Sequence, residues 1–172
     1  MISLLTQRRI FAGVFLLAAA LIAVALYMQH VMGLEPCPLC IVQRVLVMAV
    51  GAVALIAAVH DPAATGRRVY AGLLAVLAVL GAAVAGRHVW LQSLPPERVP
   101  ECGPGLEYML ETFPLLETLE MVLRGSGECA AVSWRFMGLT IPGWTLVVFC
   151  ALALLGLALV LTRFAPRAGR AR

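Results

Sequence analysis

Ile41-Val42-Gln43-Arg44-Val45-Leu46-Val47-Met48-Ala49-Val50-Gly51-Ala52-Val53-Ala54-Leu55-Ile56-Ala57-Ala58-Val59 carries one charge, Arg44, in an otherwise almost wholly apolar run. As a helix it is close to the ~30 Å hydrocarbon thickness of a bilayer. Three further apolar runs cover about 10–29, 69–89 and 142–164. The chain of 172 residues is 62% hydrophobic and 13% charged, with a mean hydropathy of +0.96. A water-soluble globule is about half apolar and about a quarter charged, so this chain has too little polar surface to be one. In lipid every backbone polar group must be satisfied inside its own segment, which leaves helix as the reading. The alanines and glycines within the runs allow close helix–helix approach. The expected fold is all-α: one membrane domain, residues 1–172, built as a four-transmembrane-helix up-down bundle.

The first run follows Arg8 and Arg9, as a signal peptide would, and Ala23-Val24-Ala25 could serve as a cleavage site. It is longer than a signal's apolar region of about 7–15 residues, so it reads as a retained helix. The pI near 9.1 does not indicate nucleic-acid binding, because the basic residues form no patch. All are arginines at the ends of apolar runs. With a cytoplasmic amino terminus, the inner segments carry Arg8, Arg9, Arg67, Arg68, Arg163, Arg167, Arg170 and Arg172. The outer loops, about 30–40 and 90–141, carry only Arg98, Arg124 and Arg135. Eight against three fixes the orientation by the positive-inside rule, with both termini cytoplasmic.

This topology sends four cysteines to one compartment. Cys37 and Cys40 fall in the first outer loop, Cys102 and Cys129 in the second. Outside a bacterial inner membrane that compartment is oxidising. Cys37-Pro38-Leu39-Cys40 stands where the second helix should start, with Cys40 in its first turn. The positive end of the helix dipole and Arg44, one turn on, both favour thiolate there. Closing so small a ring would stabilise the fold little, which favours a redox-active pair over a structural disulfide. Cys102 and Cys129 are candidates for electron exchange with that pair, or for a staple of the long loop. A zinc site built from all four thiolates is the competing reading, but the second pair lacks Cys-x-x-Cys spacing, and no metal is expected.

Around them, Pro95-Pro96 and the cluster from Pro100 to Gly105 exclude helix and sheet and suit a mobile thiol. From Tyr108 to Arg124, Met109, Phe113, Leu116 and Leu119 recur at helical spacing with Glu111, Glu117 and Glu120 between them, and Pro114 kinks or splits the stretch. It reads as a short interfacial helix. Trp134 and Trp144 also suit a membrane interface. His88, at the outer end of the third helix, is a candidate proton carrier or hydrogen-bond donor. Arg87 beside it reads as snorkelling, and Cys150 as a buried small hydrophobe. Two dithiols need an electron sink. Cys40 is followed by Ile41, so there is no haem motif, and no dinucleotide fingerprint occurs. By elimination a lipid-soluble quinone is left.

Several motifs carry a resemblance: Gln29-His30-Val31-Met32, Glu35-Pro36-Cys37-Pro38-Leu39-Cys40-Ile41-Val42-Gln43-Arg44, His88 with Leu91-Gln92, Cys102, Gly127-Glu128-Cys129, and Trp134-Arg135-Phe136-Met137-Gly138-Leu139 before Pro142-Gly143-Trp144. In these the chain resembles the bacterial disulfide-bond formation protein B (DsbB) family, inner-membrane thiol:quinone oxidoreductases. The resemblance implies redox-active disulfides Cys37–Cys40 and Cys102–Cys129, with exchange between the loops through Cys37 and Cys129. It implies that Cys102 meets a periplasmic thiol oxidase of the DsbA type and that Cys40 adjoins the quinone, ubiquinone or menaquinone. Arg44 and His88 match quinone-site residues, and the segment from Tyr108 matches a horizontal loop helix. Two other classes compete. One is an epoxide-reductase-like membrane thiol enzyme, whose motif is expected late in the bundle. The other is a non-catalytic scaffold, zinc-bound or disulfide-stapled.

Overall fold

Long helices form where the apolar runs predict them, the first three extended at both ends and the fourth beginning one residue earlier. The structure, a computed structural model, describes residues 4–101, 103 and 106–161. Helix α1 spans Leu4–His30, α2 Pro38–His60 and α3 Ala64–Gln92, and the seventh helix, α7, spans Ile141–Leu161. The last three positions expected in the fourth run, 162–164, lie outside the described residues, as do Cys102, Arg163, Arg167, Arg170 and Arg172. All four helices are long and apolar enough to cross a membrane. The chain is thus a multi-pass, all-α membrane protein. Its outward surface agrees: Leu16, Val24, Val59, Val76, Leu154 and Leu161 are each more than half exposed. Such a surface is stable only against lipid.

In space, α1 packs on α2, α2 on α3 and α3 on α7. Small residues set how closely. A Cβ on Gly81 of α3 would lie 2.3 Å from the Phe149 ring of α7, and one on Gly51 of α2 would lie 3.0 Å from the Ala18 Cβ of α1. Without a hydrophobic drive between helices in lipid, this close fit supplies the cohesion. At the end bearing the α2–α3 turn, Asp61 takes the left-handed conformation (φ 41°) that stops α2, and Pro62 follows. Arg67, 2% exposed, donates from there to Gln7 of α1 and to Asp61, each at 3.0 Å. One buried guanidinium thus ties α1, α3 and the turn between α2 and α3.

The opposite end carries the thiols, under a cap made by the long connection. Pro96–Arg98 forms one 3₁₀ turn where the proline cluster had excluded helix. The single interfacial helix expected from Tyr108 to Arg124 is two: α4, Leu106–Thr112, and α5, Leu115–Arg124, divided at Pro114. Proline lacks the donor to continue α4 yet is well suited to precede α5. Helix α6, Gly127–Ala130, is a single turn. Strands β1, Arg135–Phe136, and β2, Leu139–Thr140, then pair antiparallel around Met137-Gly138, both at positive φ (50° and 83°) as a tight hairpin turn requires. Trp144 donates its indole N–H to the Phe136 carbonyl at 3.1 Å, fastening the hairpin to α7.

Candidate thiol centre

Cys37 is the N-cap of α2, in extended backbone, and Pro38 is its first helical residue, as expected from the motif. Cys40 therefore sits in the first turn, its sulfur 3.1 Å from that of Cys37. Cys37, Cys40 and Cys129 are free thiols in this structure. Cys129 comes from the far end of the sequence. Helix α5 stops at Gly125 (φ 81°), α6 turns once, and Cys129 is delivered fully buried beneath the cap. It packs there with Leu39, Leu91, Met109 and Val122. The Cys37 and Cys129 sulfurs and a ring nitrogen of His88 all lie within 4.8 Å of one another. The Cys37 sulfur beside it, together with burial, pushes the Cys129 thiol well above the usual cysteine range.

His88, 2% exposed, is the inner floor of this cluster. Its Nε2 lies 3.0 Å from the Cys129 carbonyl oxygen and 3.7 Å from the Cys37 sulfur. A carbonyl only accepts, so Nε2 carries the proton and donates to it. Nδ1 then accepts from the Gln43 side-chain amide of α2 at 3.0 Å. Gln43 is itself 4% exposed. Sequence reasoning assigned Gln43 no role, yet a signal was present. On α3, Ala71, Leu74, Ala78, Gly81, Ala85 and His88 are buried at alternating spacings of four and three; on α2, Leu39, Gln43, Val47, Val50 and Ala54 are the matching stripe. A polar residue on an apolar stripe inside a membrane bundle is costly and marks a site.

Arg44 lies one turn beyond Cys40, half-buried. Its guanidinium is held by α1, donating to the Gln29 side-chain oxygen and, at 3.1 Å, to the Ala25 carbonyl. It is pinned between helices rather than snorkelling. Arg87, expected to snorkel, instead donates to the last carbonyls of α5, Leu123 and Arg124, at 3.4 and 2.9 Å, and stacks on Trp90 at 4.2 Å. It caps the negative end of that helix dipole. Cys150, expected to be buried, faces outward from α7. Cys102 lies outside the described residues, but both its neighbours lie beside the Cys129 turn. The Glu101 carbonyl accepts from Gly127 N–H at 3.3 Å, and a Cβ on Gly103 would meet the Ser126 side chain at 3.8 Å.

Fold and site together define a multi-pass helical membrane protein with a cluster of thiols at one mouth of its bundle. Comparison with known proteins narrows this. A model of the family "Disulfide bond formation protein DsbB" matches residues 7–159. A disulfide bond formation protein B of Marinobacter nauticus is 56% identical over 95% of this chain and 97% of its own length. One of Nitrosococcus oceani is 57% identical over 89% and 90%, and one of Azoarcus sp. 52% over 95% and 98%. The chain belongs to the DsbB family of disulfide bond formation proteins.

Proposed function

We propose that the protein reoxidises a periplasmic dithiol oxidase of the DsbA type and passes the electrons to a membrane quinone, sustaining disulfide formation. The observation that carries this reading is the place of Cys37, with one sulfur of its own motif at 3.1 Å and the sulfur of Cys129, from a distant loop, within 4.8 Å. One sulfur within reach of two others is the geometry of serial thiol–disulfide exchange. The hydrogen bond from Gly127 to the Glu101 carbonyl and the nearness of Gly103 to Ser126 support a second pair, Cys102–Cys129.

The sequence of steps conserves electrons and protons. A thiolate of the reduced oxidase attacks Cys102, freeing Cys129, and the oxidase's second thiolate completes its own disulfide. Cys129 then attacks Cys37 and displaces Cys40. Cys102 returns to Cys129 and frees Cys37. Cys37 and Cys40 would re-form their disulfide by giving up two electrons and two protons, and a quinone held beside Cys40 would supply the two-electron acceptor. His88 holds the Cys129 carbonyl and so aims that sulfur at Cys37. Its Nε2–H also faces the Cys37 sulfur, stabilising negative charge as Cys37 leaves. Arg44 spends two of its five N–H donors on α1 and keeps the rest for an acceptor's carbonyl near Cys40. That donor set fits a quinone.

The thiol end then faces the periplasm and both termini the cytoplasm of the inner membrane, as the arginine bias requires. The surface of α5 fits that placement. Leu115, Leu116, Leu119 and Leu123 are exposed along one side, Thr118 and Val122 face the bundle, and Glu117, Glu120 and Arg124 lie opposite the leucines. Such a helix lies in the membrane surface. A quinone-reduction assay driven by reduced periplasmic oxidase tests the whole reading. The wild-type chain is expected to turn over, and Cys40→Ser to lose turnover. Normal turnover by Cys40→Ser would overturn the role of that sulfur.

A further inference from the structure

We propose that the reduced centre is also a zinc site, with Cys37, Cys129 and His88 as its protein ligands. These donors come from the start of α2, from α6 and from α3, and all three ligand atoms lie within 4.8 Å of one another. A tetrahedral zinc ion with bonds of ~2.3 Å to sulfur and ~2.0 Å to nitrogen sets its donors roughly 3.5–3.8 Å apart. The Cys37 sulfur and His88 Nε2 already stand 3.7 Å apart. The remaining contraction is a matter of side-chain rotation at Cys129. Thiolate and imidazole are the donor types zinc selects over harder ions. This set differs from the four-cysteine site weighed from the sequence, because it takes a histidine from the third helix and does not need Cys102. The fourth position falls to water or to Cys40, whose sulfur is 3.1 Å from that of Cys37.

The outer shell fits as well. Binding replaces the Nε2 proton of His88 by the ion and releases the Cys129 carbonyl. The ring proton moves to Nδ1, where Gln43, by turning over its amide, accepts it through Oε1 instead of donating. A histidine ligand whose second nitrogen is held by a buried side chain is the usual arrangement around bound zinc. Binding involves no electron transfer: the two thiols release their protons and the ion takes their place. The same sulfurs joined in disulfides have no thiolate to offer. Zinc therefore holds the centre in its reduced form and must leave before Cys129 can exchange with Cys37. The inference needs only that these sulfurs can be reduced, so it stands apart from the quinone reading.

The test uses the full chain in detergent, reduced with a phosphine so that no competing thiol is present, and Co²⁺ as a spectroscopic stand-in. One ion per reduced chain is expected, with thiolate-to-cobalt charge-transfer absorption and tetrahedral d–d bands, displaced by one equivalent of Zn²⁺. The chain with its cysteines chemically oxidised to disulfides should show neither. Cys102→Ser and Cys150→Ser should bind as the wild type does, Cys129→Ser should lose most of the charge-transfer absorption, and Gln43→Ala should weaken binding about 10–100-fold. Absence of charge-transfer absorption in the reduced wild type would overturn the site. So would affinity unchanged by Cys129→Ser, or binding lost with Cys102→Ser or Cys150→Ser. Because no turnover is read, failure here leaves the quinone assay unaffected, and the reverse holds too.

Discussion

Cys129 shows what burial does to a single thiol. Its proton is held by the neighbouring Cys37 sulfur and by exclusion from water. Thiolate is the nucleophile, so the free Cys129 thiol is slow to react until the pH is high. In the reduced, metal-free protein, alkylation of Cys129 should keep accelerating as pH rises past the ordinary cysteine value of about 8.5. A rate that levels off near that value would contradict the shift. The linkage has a definite sign. A thiol whose folded pKa is raised stays protonated in the folded chain while the unfolded chain ionises. Its contribution to stability is complete below the ordinary thiol value and is lost as pH climbs above it. His88 and Gln43 complete the residue-scale account: a carbonyl that can only accept fixes the imidazole tautomer, and the tautomer fixes which way Gln43 points.

At the scale of elements, the cap over the thiols depends on where α5 ends. Gly125 adopts φ 81° and ψ 156°, open in practice only to glycine. A Cβ there would also lie 2.3 Å from a methyl of Leu91, which is fully buried. Gly125→Ala is therefore expected to cost about 1–3 kcal/mol and to move α6, which carries Cys129. The check is mild oxidation of a Cys40→Ser, Cys102→Ser background: Gly125→Ala should reduce the yield of the Cys37–Cys129 disulfide. An undiminished yield would mean that α6 is positioned by something else. Pro114 was legible as a break in the sequence, and the stretch that became α4 and α5 as apolar periodicity. The hairpin at Met137-Gly138 was not, because a two-residue strand has no period to read.

For the whole molecule, cohesion in lipid comes from close fit along α3 and α7. Gly81→Ala drives a methyl into the buried Phe149 ring and should destabilise the bundle by about 1–3 kcal/mol. Adding Phe149→Leu should recover part of that loss, and thermal unfolding in detergent of the two single variants and the double variant measures the coupling. Strict additivity would mean the helices separate freely there. The sequence by itself determined the four spans, the class of protein and the closeness of Cys37 to Cys40, because hydrophobic length and local spacing are properties of neighbours along the chain. Only the tertiary structure brought Cys129 and His88 to Cys37, gave Gln43 its task, turned Arg87 into a helix cap and faced Cys150 outward. Those outcomes rest on which side of each helix meets another, and packing between residues remote in the chain decides that.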